Sequence, residues 1–319
     1  RHRNQEPDLV QEQESPTADS EAGDEHMPSF EVEHDSRLSR GISRARAYAA
    51  ARSKRHFVGA FAVLLGVVIL LLPSPYVIEM PGPTQDVLGK VEDGAVIDIT
   101  GTGVTTYKDS GKLLLTTVNA SGVPGYPIIN AQAVWGWGNP QVEVMPREAT
   151  VPVGQSADQY QKKVEQDMAG SQDSASAVGL AYAKAHADEL DIDASALQHA
   201  KVTMHVDSIG GPSAGMMYTL GLIDKLTPAN ESGGKTIAGT GTIDKDGKVG
   251  RIGGIELKML GAKRDGATWF LAPASNCLDV AGRVPDGLRD VKVATLNEAY
   301  QALVAIGKGQ ADDLPHCEA

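Results

Sequence analysis

Positive charge, cysteine and aromatic residues are all in short supply in this chain of 319 residues. Lys and Arg number 29 against 41 Asp and Glu, which gives a formal net charge of −12. That balance argues against a nucleic-acid partner, and no basic stripe interleaved with aromatics offsets it. The two cysteines are Cys277 and Cys317, and no Cys/His cluster at ligand spacing surrounds them. A structural zinc site is therefore not expected, and neither is any other metal or cofactor. Outside the cytoplasm the pair could close a disulfide that pins the C-terminal tail; in a reducing compartment both would stay free thiols. Gly233-Gly234-Lys235-Thr236 resembles the end of a phosphate loop, but Ala229 stands where the leading glycine is required. The phosphate-loop pattern fails. Asp244 and Asp246 are too few for a calcium loop and read as turn residues, in a hairpin of Thr236–Ile243 and Lys248–Ile252 around Asp246-Gly247. Aromatics make up 5% of the chain while glycines number 35, so glycine turns shape much of the architecture.

Charge is unevenly spread. Residues 1–36 are polar and acidic, and together with the basic stretch after them, 1–56 in all, they predict a disordered tail. Arg37, Arg40, Arg44, Arg46, Arg52, Lys54 and Arg55 follow with no acid among them. Residues 57–78 then carry no charge, long enough for a helix of ~20 residues to cross a bilayer. The basic flank puts residues 1–56 in the cytoplasm and everything beyond the span outside. The long basic flank and the Pro73-Ser74-Pro75 exit favour an uncleaved anchor over a signal peptide. Residues 79–154 read as short strands and turns, with Trp135-Gly136-Trp137 in an exposed loop that could grip a substrate or the membrane interface. Residues 155–310 open with a helix over 156–189 and continue as strands alternating with helices, an α/β or α+β sheet domain. Residues 311–319 form a tail.

The stretch 207–260 holds the candidate chemistry. Gly210 and Gly211 permit a tight turn, and Pro212 sets a φ suited to a helix start. From Ser213 to Ile223 there is no charge, so a buried helix is expected with Ser213 at its N-terminus. Free amides collect there, which suits an oxyanion; a plain N-cap role for Ser213 would need the same residues. Residues 254–264 also read as a helix, stopped by Gly266. Around Lys258, the positions one turn away are Gly254, Ile255, Gly261 and Ala262, none of them acidic. A lysine on that face either loses its proton on burial or snorkels to solvent. A neutral Lys258 beside Ser213 would be a general base. A His205–Asp207–Ser213 triad competes with this pair, but strand alternation over 201–206 sends His205 away from Val202 and Met204.

The GGPSAG motif, followed by GTGTI and GKVGRIGGIELK, resembles the proteolytic domain of Lon-type serine proteases. The likeness is greatest to the membrane-anchored Lon-like proteases of bacteria. The resemblance covers residues 75–310 and implies that Ser213 is the nucleophile, Lys258 the base and Thr240 the hydroxyl that orients the lysine. Met168, Ser171 and Ala175 fit a further family pattern. Two positions depart: Gly210 replaces an acid, and Glu256 replaces the first lysine of the GGxKxK pattern, leaving Lys258 as the second. The PDZ domain usual in these relatives has no counterpart between Lys184 and Lys201. The expectation is a membrane-tethered, ATP-independent endopeptidase acting on extracytoplasmic proteins or peptides, with Gly211, Pro212, Ser213 and Ala214 framing the oxyanion. A homo-oligomeric ring of six is implied by the resemblance only. The rivals are an inactive membrane-anchored binding module on the same fold and a protein that cleaves only itself.

Overall fold

The computed structural model describes residues 35–51, 53–92, 94–205 and 211–318. The acidic half of the expected tail, residues 1–34, lies outside the described residues, as does Asp207 of the rival triad. The chain divides into two compact units, Arg1–Val63 and Leu64–Ala319.

Helix α1 (Asp35–Ala50) corrects the expectation of disorder up to residue 56. Its sequence is rich in Arg and Ala, which favour helix, and has no proline. Helix α2 (Lys54–Leu71) has a mean hydropathy of 1.8. Among the described residues it is the helix long and apolar enough to cross a membrane. Its 18 residues rise about 27 Å. The expected span of 57–78 is thus shortened at its far end. Pro73 and Pro75 have no amide hydrogen with which to continue a helix, and Tyr76–Ile78 already belong to a strand.

The strands and helices that follow are β1 (Tyr76–Asp86), β2 (Lys90–Val91), β3 (Gly94–Ala95), β4 (Ile97–Thr100), β5 (Lys112–Ser121), α3 (Asn130–Trp137) and β6 (Glu143–Pro146). Then come α4 (Ala157–Ala185), α5 (Ala187–Leu190), β7 (Lys201–Met204), α6 (Gly215–Leu226), β8 (Thr236–Gly239), β9 (Thr242–Ile243) and β10 (Val249–Gly250). The chain closes with α7 (Ile255–Arg264), β11 (Trp269–Pro273), α8 (Cys277–Val280), β12 (Arg289–Val293) and α9 (Leu296–Gly307). This is the expected mixed α/β fold.

The main sheet has the order β12-β11-β8-β5-β1-β6. Strands β12, β11, β8 and β5 run parallel, while β1 pairs antiparallel with β5 and β6. A parallel sheet needs cover on both faces, and alternation along the strands supplies two cores. Leu113, Leu115, Ile237 and Leu271 point into a core shared with α4, α6 and α9. Leu114, Ala238, Phe270 and Ala272 point the other way, onto Ile255, Met259 and Ala262 of α7.

Two local expectations are corrected. The loop expected at Trp135 and Trp137 is the end of α3, whose inner face buries Ala133 and Gly136. The hairpin expected over residues 236–252 is reduced to β9 and β10, because β8 joins the main sheet. The turn between β9 and β10 is held by Asp244, whose carboxylate accepts from the amides of Asp246 and Lys248. Cys277 and Cys317 form the disulfide that was one of the two expectations.

Candidate active site

Ser213 reaches its position through a break in helix geometry. Residues Pro212–Ala214 form a 3-10 turn, and α6 begins only at Gly215. Pro212 occupies the first turn, where its missing amide costs nothing. Ser213 is therefore not an N-cap: it sits inside the turn, half-buried. The turn is pinned from three sides. Ser171 donates to Pro212 O at 3.3 Å. The amide of Gly241 donates to Ser213 O at 2.7 Å, and that of Met216 to Gly241 O at 3.0 Å. Behind it α6 is buried from Gly215 to Asp224, as its uncharged sequence requires.

Lys258 comes from the opposite face of the sheet. Helix α7 starts at Gly254, whose φ of 63° lies in the left-handed region. A Cβ there would stand 2.9 Å from Val118 Cγ1, so glycine meets both the backbone and the space requirement. The amide of Lys258 donates to Gly254 O, one turn into the helix. Its side chain runs inward and is 3% exposed. The helix ends as its sequence predicts, with Gly266 at φ 90° and the amide of Ala267 on Ala262 O.

The two residues meet where β8 stops. Thr240, fully buried just past that strand, has its amide on Leu271 O. Lys258 Nζ lies 2.7 Å from Ser213 Oγ and 3.1 Å from Thr240 Oγ1. Thr240 in turn donates its hydroxyl to Ser213 O at 3.1 Å. With its own hydrogen committed to that carbonyl, Thr240 must accept from Lys258. A neutral amine that gives one N–H to Thr240 keeps its lone pair available to accept from the Ser213 hydroxyl. Burial pushes the Lys258 ammonium down to about 8, against the opposing pull of Glu79.

A cleft of about 350 Å³ opens over this pair. Gly211, extended at φ −151°, and Pro212 form one wall. Tyr160 and Asp167 of α4 lie across from them, and Thr117–Ala120 of β5 supply a strand edge. The β5–β8 pairing ends at Leu115–Gly239, so this part of β5 has a strand, β1, on one side only. Glu79 of β1 lines the cleft as well. Burial raises its carboxyl, Glu143 beside it raises it further, and Lys258 opposes both.

Of the residues singled out from sequence, Ser213, Lys258 and Thr240 converge and Gly211 and Pro212 line the cleft. Ala214 is buried, and its amide makes the long 3.3 Å turn bond to Gly211 O. His205 extends from β7 with its amide on Val96 O, while the partner of Ser213 Oγ is Lys258. Glu79 was not foreseen. Its one signal was an acid set between the apolar residues Ile78 and Met80.

Residues 137–306, spanning every part of this constellation except β1, β5 and the edge they provide, match the Lon protease (S16) C-terminal proteolytic domain. The chain belongs to the Lon proteolytic-domain family. Lon protease 1 of Sorangium cellulosum is 36% identical over 152 residues, 44% of this chain and 18% of that protein. The Lon protease of Porphyromonas gingivalis is 35% identical over 132 residues, 39% of this chain and 15% of its own length. The Lon protease of Trichlorobacter lovleyi aligns over 232 residues at 28% identity, covering 70% of this chain and 27% of its own. This Lon-family chain thus spans under a third of the length of each of these relatives.

Proposed function

We propose that the protein is a membrane-tethered serine endopeptidase in which Ser213 and Lys258 form a catalytic pair. The observation that carries the reading is a buried lysine amine at 2.7 Å from a hydroxyl in an open cleft. Ser213 Oγ attacks the peptide carbonyl carbon as its proton passes to Lys258 Nζ. The carbonyl oxygen becomes an oxyanion, held by backbone amides at the Gly211–Ala214 turn. As the C–N bond breaks, Lys258 returns the proton to the leaving amine. Water, deprotonated by the same amine, then releases the acyl group. Thr240 keeps the lone pair aimed at Ser213. The open edge of β5 supports capture of substrate as an extended strand.

Helix α2 would anchor the protein with its N-terminus in the cytoplasm and the cleft outside. The Cys277–Cys317 disulfide supports that side, since oxidised pairs persist there. Proteins or peptides in that compartment are the expected substrates. Cleavage without ATP is proposed for this domain, whose Gly233–Thr236 stretch lacks the leading glycine of a phosphate loop at Ala229. A homo-oligomeric ring is carried over from the family alone.

The test is cleavage of a denatured model protein by the full chain, compared with Ser213→Ala. Loss on the order of 10⁴-fold or more supports the reading. Equal cleavage by the variant would overturn it.

A further inference from the structure

From Leu113 to Val142 the chain contains no Asp, Glu, Lys, Arg or His, although 22% of the whole is charged. The first part of that run is buried in β5 and needs no further account. Much of the rest is surface. Tyr126 is 65% exposed, Val134 52%, Trp135 54% and Trp137 59%. The inner face of α3 already serves the fold, with Ala133 and Ile128 packed against Ile78. Its outer apolar groups do not.

The same segment is stitched to the end of α2. The amide of Asn130 donates to Leu72 O at 3.0 Å, and its side-chain nitrogen donates to Ile69 O at 2.9 Å. Pro73 bridges Ile129, and the amide of Ser74 donates to Ile128 O. These bonds satisfy carbonyls that a helix end leaves open. They also fix α3 at the level where the apolar helix stops. The Trp137 ring packs edge-on against Tyr76, the first residue of β1, with centroids 5.1 Å apart. Two of the three tryptophans in the chain therefore belong to the helix that is stitched to this exit, one of them against Tyr76.

We propose that α3 and the turn before it form an interfacial anchor, seated in the headgroup layer of the bilayer leaflet from which α2 emerges. The inference rests on the reading of α2 as a membrane span. Indole and phenol groups favour that layer because the ring is apolar while the N–H or O–H still finds a polar partner. A surface without charge avoids the cost of pressing ions against lipid. The partner is the lipid–water interface itself. The anchor holds the sheet domain in one orientation against the membrane and does not leave it swinging on a linker.

The test uses the full chain reconstituted in phosphatidylcholine vesicles, with and without acyl chains brominated at carbons 6 and 7. Flotation and resistance to alkaline carbonate first establish that the chain spans the vesicle. Bromolipid is then expected to quench tryptophan emission by roughly half, since Trp135 and Trp137 lie within reach and the buried Trp269 does not. In a W135F/W137F variant, which retains apolar rings, flotation should persist and most of the quenching should disappear. A chain that floats but emits equally in both lipids overturns the anchor and leaves the span intact. That result would include the case in which a second copy covers these rings. A chain that does not float overturns the span and the anchor together.

Discussion

At the residue scale, the proposed chemistry rests on a single buried amine. Lys258 is held down to about 8 by burial, from an ordinary value of 10.5. The charged form is the one penalised, so the sign for stability is unfavourable at neutral pH. Below about pH 8 the amine is protonated in the folded and unfolded states alike, and the full penalty of a buried charge applies. Between about 8 and 10.5 the folded state gives up its proton first, and stability rises with pH. A shift of this size is worth about 3 kcal/mol. Lys258→Met should therefore abolish cleavage yet unfold at higher urea concentration than wild type at pH 7, a gain of up to about 3 kcal/mol by denaturant titration. Glu79 acts in the opposite sense, because its negative charge favours the ammonium. Glu79→Gln should move the rise of the pH–rate curve to lower pH without removing activity, which initial rates across pH 6–10 would reveal. Ser213 was legible because it opens an uncharged stretch, and Lys258 because no acid lies one helical turn away from it. Glu79 was not, since it enters the cleft through the β1–β5 register, which pairs it with Ala120. Nothing in a single sequence specifies that register.

At the scale of elements, α6 and α7 pack on opposite faces of the sheet and approach each other past the end of β8. Both helices were readable from start and stop signals. Their meeting point was not, because it depends on β8 leaving the expected hairpin and joining β5 and β11. The far end of α6 carries a different burden. Asp224 is 2% exposed, and one of its carboxyl oxygens, Oδ2, is buried without a hydrogen-bond partner. Burial, and then the neighbouring Asp109, push its carboxyl up to about 9. Asp109 stays low despite burial, because the amides of Gly111 and Ser232 and the hydroxyl of Ser232 donate to it. The folded state therefore holds a proton that the unfolded state releases. Stability from this group is full below pH 4 and is lost as pH rises towards 9. Asp224→Asn, which keeps the neutral shape, should raise the melting temperature at pH 8.5 by several degrees and flatten its decline with pH. A variant less stable than wild type at that pH would show that Asp224 is ionised in the folded protein.

Across the whole molecule, the expected layers were recovered and the expected segment boundaries shifted. Strands alternating with helices announced the α/β sheet domain. Helix α1 and the helical ending at Trp137 were missed because charge and glycine content were read as loop. Between Leu72 and Glu79 a chain spans at most about 25 Å, so the cleft lies near the exit of α2. Under the tethered reading, membrane proteins in the same bilayer are the natural targets. A reporter with a cleavable loop directly after its own span should be cut faster than the same loop raised about 60 Å on a rigid helical spacer of ~40 residues. Equal rates in one set of vesicles would argue against a membrane-proximal site. The proposed function depends at all three scales on Lys258 activating Ser213. The most direct measurement is the rate at which a fluorophosphonate labels the full chain between pH 6 and 10, with the adduct located by mass spectrometry. The account predicts an adduct on Ser213, formed at a rate that rises through about pH 8 and lost in Lys258→Met. Labelling that is flat with pH, or that persists without the amine, would contradict it.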